Sequence, residues 1–215
     1  MITTQKWLAL AFTCVSLGVG PLAARADSPT FEFTPFVGGR LGGGFDVDNG
    51  DGTTSSADLG AGVSYGLDLG LYRDAHGFYE ALYSTQQTNL DSNDPALRNI
   101  DIDVDYLQIG GTALFEQDER YVPYVSFTIG AALLEPKQGG YSSETKFAIS
   151  LGTGLRIPFN ERISATLGVR GYLTFIDSNT SLFCTSTSAG SQCLVKSSGS
   201  TLFQGEGQLG LTVRF

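Results

Sequence analysis

The sequence predicts an all-β protein, an eight-stranded antiparallel up-and-down barrel, and three observations carry that prediction. Composition disfavours helix: 215 residues include 28 glycines, while Met, Trp and His occur once each, and glycine and β-branched residues lower helix propensity. Apolar residues recur at every second position through one segment after another, which is the period of a strand. The breaks between these segments alternate between short and long, as in a meander of hairpins.

Residues 1–26 read as a secretory signal peptide that is cleaved. Lys6 supplies the positive start, Trp7 to Gly20 is uncharged and largely apolar, Pro21 breaks the run, and Ala24-Arg25-Ala26 is an A-x-A cleavage site. A retained membrane helix is the competing reading, but its exit flank is wrong. Cys14 sits inside the apolar run behind Phe12-Thr13, not the small residues of a lipoprotein anchor. The barrel domain is therefore expected over 27–215. Losing Lys6 and Arg25 moves the net charge from −9 to −11, which excludes a generally basic nucleic-acid binder. Aromatic residues, at 11%, supply the buriable surface a disordered chain lacks. Two cysteines remain, Cys184 and Cys193. An even pair in an exported chain reads as a disulfide, closing a loop worth about 2–3 kcal/mol on the chain-entropy view. A thiol redox or metal site lacks both the CxxC spacing and a nearby histidine.

In chain order, alternation begins with modest contrast over 31–45 and is clearest over 58–70. There Leu59, Ala61, Val63, Tyr65, Leu67 and Leu69 oppose Asp58, Gly60, Gly62, Ser64, Gly66 and Asp68. Residues 77–88 and 121–134 follow the same pattern less sharply. Between them, in 100–115, the phase slips. Ile100, Ile102 and Val104 alternate with aspartates, and then Leu107, Ile109 and Phe115 take the other parity. Either a β-bulge near Tyr106 or a strand crossing from one environment to another explains this. Residues 146–157 set Phe147, Ile149, Leu151, Leu155 and Ile157 against Lys146, Ser150 and Arg156, and 162–175 sets Ile163, Ala165, Leu167, Val169, Leu173 and Phe175 against Arg162, Ser164, Thr166, Arg170 and Tyr172. At the end, Phe203, Leu209, Leu211, Val213 and Phe215 oppose Gln204, Glu206, Gln208, Thr212 and Arg214. Long polar breaks are expected near 46–56, 89–99, 135–143 and 176–198, and short ones near 71–76, 116–120 and 158–161. Eight spanning strands of about 9–11 residues leave room for such loops, whereas sixteen do not.

Two closed architectures fit this ladder. A lipocalin-type soluble barrel has an apolar lumen, and a transmembrane barrel has an apolar exterior. The apolar faces are too extensive for the lumen of eight strands. The opposite faces carry isolated charges of both signs, fewer than a solvated surface carries. Phe215 itself falls on the apolar face. Together these favour the transmembrane form.

The leader, the glycine-rich alternating strands and the terminal Gly207-Gln208-Leu209-Gly210-Leu211-Thr212-Val213-Arg214-Phe215 resemble the small OmpA/OmpX-like outer-membrane β-barrel family. Thr34-Pro35-Phe36-Val37-Gly38 and Tyr106-Leu107-Gln108-Ile109-Gly110-Gly111 are similar to phrases in its members, most of uncharacterised role. The resemblance covers essentially all of 31–215. It implies the outer membrane of a Gram-negative bacterium, extracellular loops, periplasmic termini, and surroundings of outer-membrane lipid and lipopolysaccharide. It also implies that Leu209, Leu211, Val213 and Phe215 form a signal for the barrel-assembly machinery, with periplasmic chaperones as transient partners. A monomer with no nucleic-acid partner and no cofactor is expected.

With the apolar faces outward, the inward charges are Glu32, Arg40, Asp68, Glu80, Arg156, Arg170, Glu206 and Arg214. Four acids and four arginines suggest mutual pairing, because a buried lone charge is costly, and Gly38, Gly42, Gly62 and Gly152 leave room for them. A bore this narrow is expected to be plugged, giving a structural or surface-interaction role. The alternatives are a small transport protein or narrow channel for ions or apolar solutes, and a lipid-modifying enzyme. The enzyme reading is weak: the single histidine, His76, falls in a short turn, and neither G-x-S-x-G nor H-E-x-x-H occurs. Asp46 to Gly52 is half of a calcium loop with its glycine one place early and no glutamate at position twelve, so it reads as an acidic hairpin loop. Asp101, Asp103 and Asp105 read as a strand rising into water, with cation bridging of lipopolysaccharide as the competing role. Tyr79, Tyr121, Tyr172 and Phe175 are candidates for interfacial girdles.

Overall fold

A computed structural model describes residues 30–48, 54–92, 100–115, 120–137, 142–176, 181–187, 190–196 and 201–215. The leader and most of the calcium-like loop lie outside the described residues. Eight strands form the wall: β1 (Phe31–Leu41), β4 (Gly62–Asp74), β5 (Gly77–Ser92), β6 (Ile100–Leu114), β7 (Val122–Pro136), β8 (Glu144–Pro158), β9 (Ile163–Phe175) and β12 (Thr201–Arg214). Each pairs antiparallel with its neighbours, and β1 pairs with β12 to close the ring.

Closure is staggered. From Phe31, paired residues run through Leu71, Tyr79, Gly111, Phe127, Leu151, Gly171 and Gly205 and return to β1 at Leu41. The ring therefore closes ten residues further along β1. With eight strands, that offset tilts the wall by roughly 40° and sets a radius of about 8 Å. Ten residues at this tilt rise about 25 Å, the height of an outer-membrane apolar band. Side chains of that wall carry Phe33, Val37, Val63, Leu69, Leu107, Ile109, Phe127, Leu151, Leu167, Val169 and Leu209 outward, each more than 40% exposed. Alternate positions point into the bore.

Short connections gather at one end: 75–76, the segment between β6 and β7, and 159–162. In the last, Asn160 Oδ1 accepts the backbone N–H groups of Arg162 and Ile163 at 2.9 and 2.8 Å. The opposite, long-loop end contains structure where the sequence suggested plain loops. A hairpin of β2 (Gly44–Asp48) and β3 (Thr54–Leu59) continues the wall, because β3 takes the place beside β5 that β4 gives up. Gly42 and Gly43, with φ of 84° and 102°, make the bend from β1 into β2, a conformation costly for any residue with a Cβ. A second hairpin, β10 (Ser181–Thr187) and β11 (Gly190–Lys196), forms a separate two-stranded sheet.

Two expectations need correction, for Leu59 and Tyr172, and of the two readings of 100–115 the structure selects the strand that crosses from one environment to another. Leu59 does not share the outer face of Ala61 and Val63: β3 ends at Leu59, β4 starts at Gly62, and Leu59 turns into the interior at 4% exposure. No bulge occurs near Tyr106, since β6 keeps unbroken register with both β5 and β7. Ile102, Val104, Tyr106, Gln108, Thr112 and Leu114 are all buried along one face. The apparent slip is a change of surroundings: towards the long-loop end the outer face turns from Leu107 to aspartates while the inner face turns from Gln108 to Val104 and Ile102. Tyr172 is not interfacial either, being fully buried in the bore, whereas Tyr79, Tyr121 and Phe175 are exposed.

The change of surroundings makes a direct prediction. In membranes, Asp103→Cys is labelled rapidly by a charged maleimide, whereas Leu107→Cys, on the same outer face of β6, is labelled at least about tenfold more slowly, as expected for a thiol held in hydrocarbon. Equal rates contradict the placement of the boundary.

Candidate functional site: the lumen

Inward positions of the wall build a polar column through the bore. Nearest the short turns, Glu32 on β1 receives a bidentate pair of bonds from Arg156 on β8, both 2.8 Å. Tyr72 on β4 donates to the same carboxylate at 2.8 Å and accepts from Arg156 at 2.8 Å and from Arg214 at 2.5 Å. The Arg214 guanidinium lies 4.5 Å from the Tyr72 ring centroid. Phe78, Leu114 and Tyr124 pack beside this cluster. At the rim, Arg73 donates to Asp74 at 2.8 Å and so does the His76 backbone N–H at 2.8 Å; these bonds hold the Asp74 carboxyl below its ordinary pKa. His76 thus sits in the β4–β5 turn.

Midway along the bore, Arg170 on β9 meets Glu80 at 2.6 Å and Asp68 at 4.0 Å. It also donates to Ser150 at 3.1 Å, which with Thr128 and Gln108 forms a hydroxyl–amide chain. Thr112 donates to the other Glu80 oxygen at 2.5 Å. Gly152 makes this possible: a Cβ there would crowd Ser126 Oγ and lie 3.4 Å from Arg170 Cζ. A space of about 20 Å³ beside Asp68, Arg156 and Arg170 has the size of one water molecule.

Further towards the long loops, Arg40 is completely buried. It bonds Glu206 at 3.3 Å, the Ser84 hydroxyl, and the Val104 carbonyl at 3.3 Å. Its guanidinium stands 4.9 and 4.8 Å from the centroids of Tyr106 and Tyr172, which stack on one another at 4.2 Å. Tyr172 donates to Glu206 at 2.6 Å, and Tyr106 donates to Gln204 at 2.9 Å. Beyond this layer the interior becomes apolar, filled by Ile102, Val104, Leu134, Ile176, Leu202 and Leu59.

All eight charges named from the sequence point into the bore, but they do not pair one to one. Three arginines hold the four acids: Arg156 with Glu32, Arg170 with Glu80 and Asp68, Arg40 with Glu206. Arg214 has no carboxylate within 4 Å among the described residues. Sequence reasoning missed Tyr72, Ser84, Gln86, Tyr106 and Gln204, whose signal was only that they fall on the faces opposite the outward residues of their strands. Asp101, Asp103 and Asp105 line the outer face beyond the apolar belt, with Asp103 paired to Lys137. No group of metal-ligating side chains occurs among the described residues. Leu209, Leu211, Val213 and Phe215 lie on the outer face of β12 beside the closing seam, where the Phe215 N–H bonds the Phe31 carbonyl at 2.8 Å. In the β10–β11 hairpin, Cys184 stands directly opposite Cys193.

The family model of the outer membrane protein beta-barrel domain matches residues 12–215. No curated protein matches the sequence. Among solved structures, Neisserial surface protein A superposes with a TM-score of 0.56 at 13% identity, over 86% of this chain and 97% of that one. OprG from Pseudomonas aeruginosa gives 0.58 at 12%, over 87% and 96%, and the outer membrane protein AlkL gives 0.59 at 12%, over 94% and 97%. Identities this low speak for the fold alone, and the fold agrees with the sequence match. The chain belongs to the outer membrane protein β-barrel domain family, an integral barrel family of the Gram-negative outer membrane.

Proposed function

We propose that this protein is an anchored outer-membrane barrel with a closed lumen and a structural or surface-interaction role. Its long-loop end faces the cell exterior and carries whatever recognition the protein performs, and both termini lie on the periplasmic side. The observation that carries this reading is the Arg40–Glu206–Tyr106–Tyr172 layer with the apolar cluster stacked on it. Arginine clamped by a carboxylate, a serine hydroxyl, a carbonyl and two rings works against a hydrated path beside it, and apolar packing beyond it opposes ions further. The short-turn position of the chain's one histidine, far from the long loops, argues against outer-leaflet lipid chemistry. During biogenesis, the outward row Leu209, Leu211, Val213 and Phe215 serves as the signal read by the assembly machinery before the β1–β12 seam forms.

The closed lumen is tested by planar-bilayer recording of the pure protein, which is expected to show no stable single-channel steps; reproducible steps would instead support the transport alternative. Since the plug and the fold share contacts, Arg40→Met is expected to lower unfolding stability in liposomes by about 3–5 kcal/mol, the loss typical of a broken buried pair. Adding Glu206→Met should recover a substantial part of it, because the stranded charge is then gone. In non-reducing peptide mapping Cys184 and Cys193 are expected in one linked fragment, since directly opposed strand residues have the Cα separation a disulfide needs. Reduction should leave the heat-dependent gel shift of the barrel unchanged.

A further inference from the structure

We infer that the short-turn mouth of the barrel is a binding site for a small oxyanion, a carboxylate or a phosphate, entering along the barrel axis. Its periplasmic placement rests on the orientation proposed above; its chemistry does not. The mouth encloses a cavity of about 600 Å³, within the range of small-molecule sites. Arg156 and Arg214 form its floor, with Tyr72 between them, and Arg73 and Arg162 stand in its wall.

The hydrogen bonds of that floor leave one cation over. Glu32 spends both oxygens on Arg156 and accepts the Tyr72 O–H as well. The Tyr72 oxygen then accepts from Arg156 and from Arg214, which uses both its lone pairs. Arg214 is held by this contact and by the ring beneath it, yet among the described residues no carboxylate lies within 4 Å of it and four of its five N–H donors meet no partner. Across the cavity Arg73 is bound to Asp74 and Arg162 adjoins Glu161. Counting Glu32, the charged side chains lining the mouth sum to one positive charge, in a chain whose total is −9. A planar guanidinium with free donors, fixed at the edge of a part-apolar cavity, matches the two-oxygen face of a carboxylate or phosphate. Leu114 and Val122 in the wall strengthen that attraction by thinning the surrounding water.

The competing occupant is the chain itself, because the adjacent turn carries Glu116, Asp118 and Glu119 in sequence. The test titrates inorganic phosphate, and separately acetate, into the full refolded chain in micelles at constant ionic strength, reading arginine side-chain ¹⁵N–¹H signals. Saturable binding with a Kd of about 1 mM is expected for phosphate, acetate or both. Arg214→Gln should weaken it about tenfold or more, Arg214→Lys less, and the remote Lys137→Gln not at all, with each variant's fold verified by its heat-dependent gel shift. No saturable response, or a response that Arg214→Gln leaves intact, overturns the site. So does binding that appears only when Glu116→Gln, Asp118→Asn and Glu119→Gln are combined, which would show that the turn already fills it.

Discussion

Backbone polar groups in hydrocarbon have no water to bond, so each must find a partner within the protein. For a strand protein the one solution is a closed ring, and here the seam between β1 and β12 completes it. The ten-residue offset at that seam then fixes the tilt, the height of the wall and the width of the bore. Everything inside the barrel has to fit that width, and everything outside it has to suit acyl chains over about 25 Å.

Within the bore, side chains are sorted by what lies outside the wall at the same height. Where lipid surrounds the barrel, the inner face carries arginines, acids and hydroxyls, since the outer face already supplies the apolar contact. Where β6 and β7 rise beyond the belt, the outer face carries Asp101, Asp103, Asp105 and Lys137, and the inner face becomes Ile102, Val104 and Leu134. That upper section is built like a water-soluble barrel standing on a membrane barrel. The Arg40 layer lies at the junction. Its stacked tyrosines present apolar rings to the cluster beyond and hydroxyls to Glu206, Thr174 and Gln204, which lets the two interiors meet without an unpaired buried charge.

Much of this was legible in the sequence, because period-two alternation reports directly which residues share a face. Leu151 and Arg156, or Leu209 and Glu206, could be assigned to opposite sides from spacing alone. What alternation does not report is the identity of the surroundings on each side. The run from Ile100 to Phe115 looked like a broken phase although its backbone is regular, because both environments reverse near Tyr106. Leu59 was misplaced for a different reason: the break at Gly60–Ala61 hands the wall from β3 to β4, and a strand change is silent in hydropathy. Partners across the bore were also illegible. That Arg170 meets Glu80, ninety positions away, follows from the stagger of the ring, and Arg214, although its backbone stands opposite Glu32 on β1, bonds Tyr72 while Arg156 takes both Glu32 oxygens.

The two ends consequently differ in kind. The long-loop end holds an apolar cluster beneath the extension of the wall by β2 and β3, and the short-turn end holds an arginine-lined mouth over a polar column. Both descriptions depend on which face of each strand meets lipid, and intermolecular NOE spectroscopy of the methyl-labelled protein in lipid nanodiscs tests that most directly. The account requires cross-peaks from acyl-chain protons to the methyls of Leu107, Leu151 and Leu167 and none to those of Leu82, Ile102, Leu134 and Leu202. Acyl contacts to the second set, with the first set silent, would contradict it.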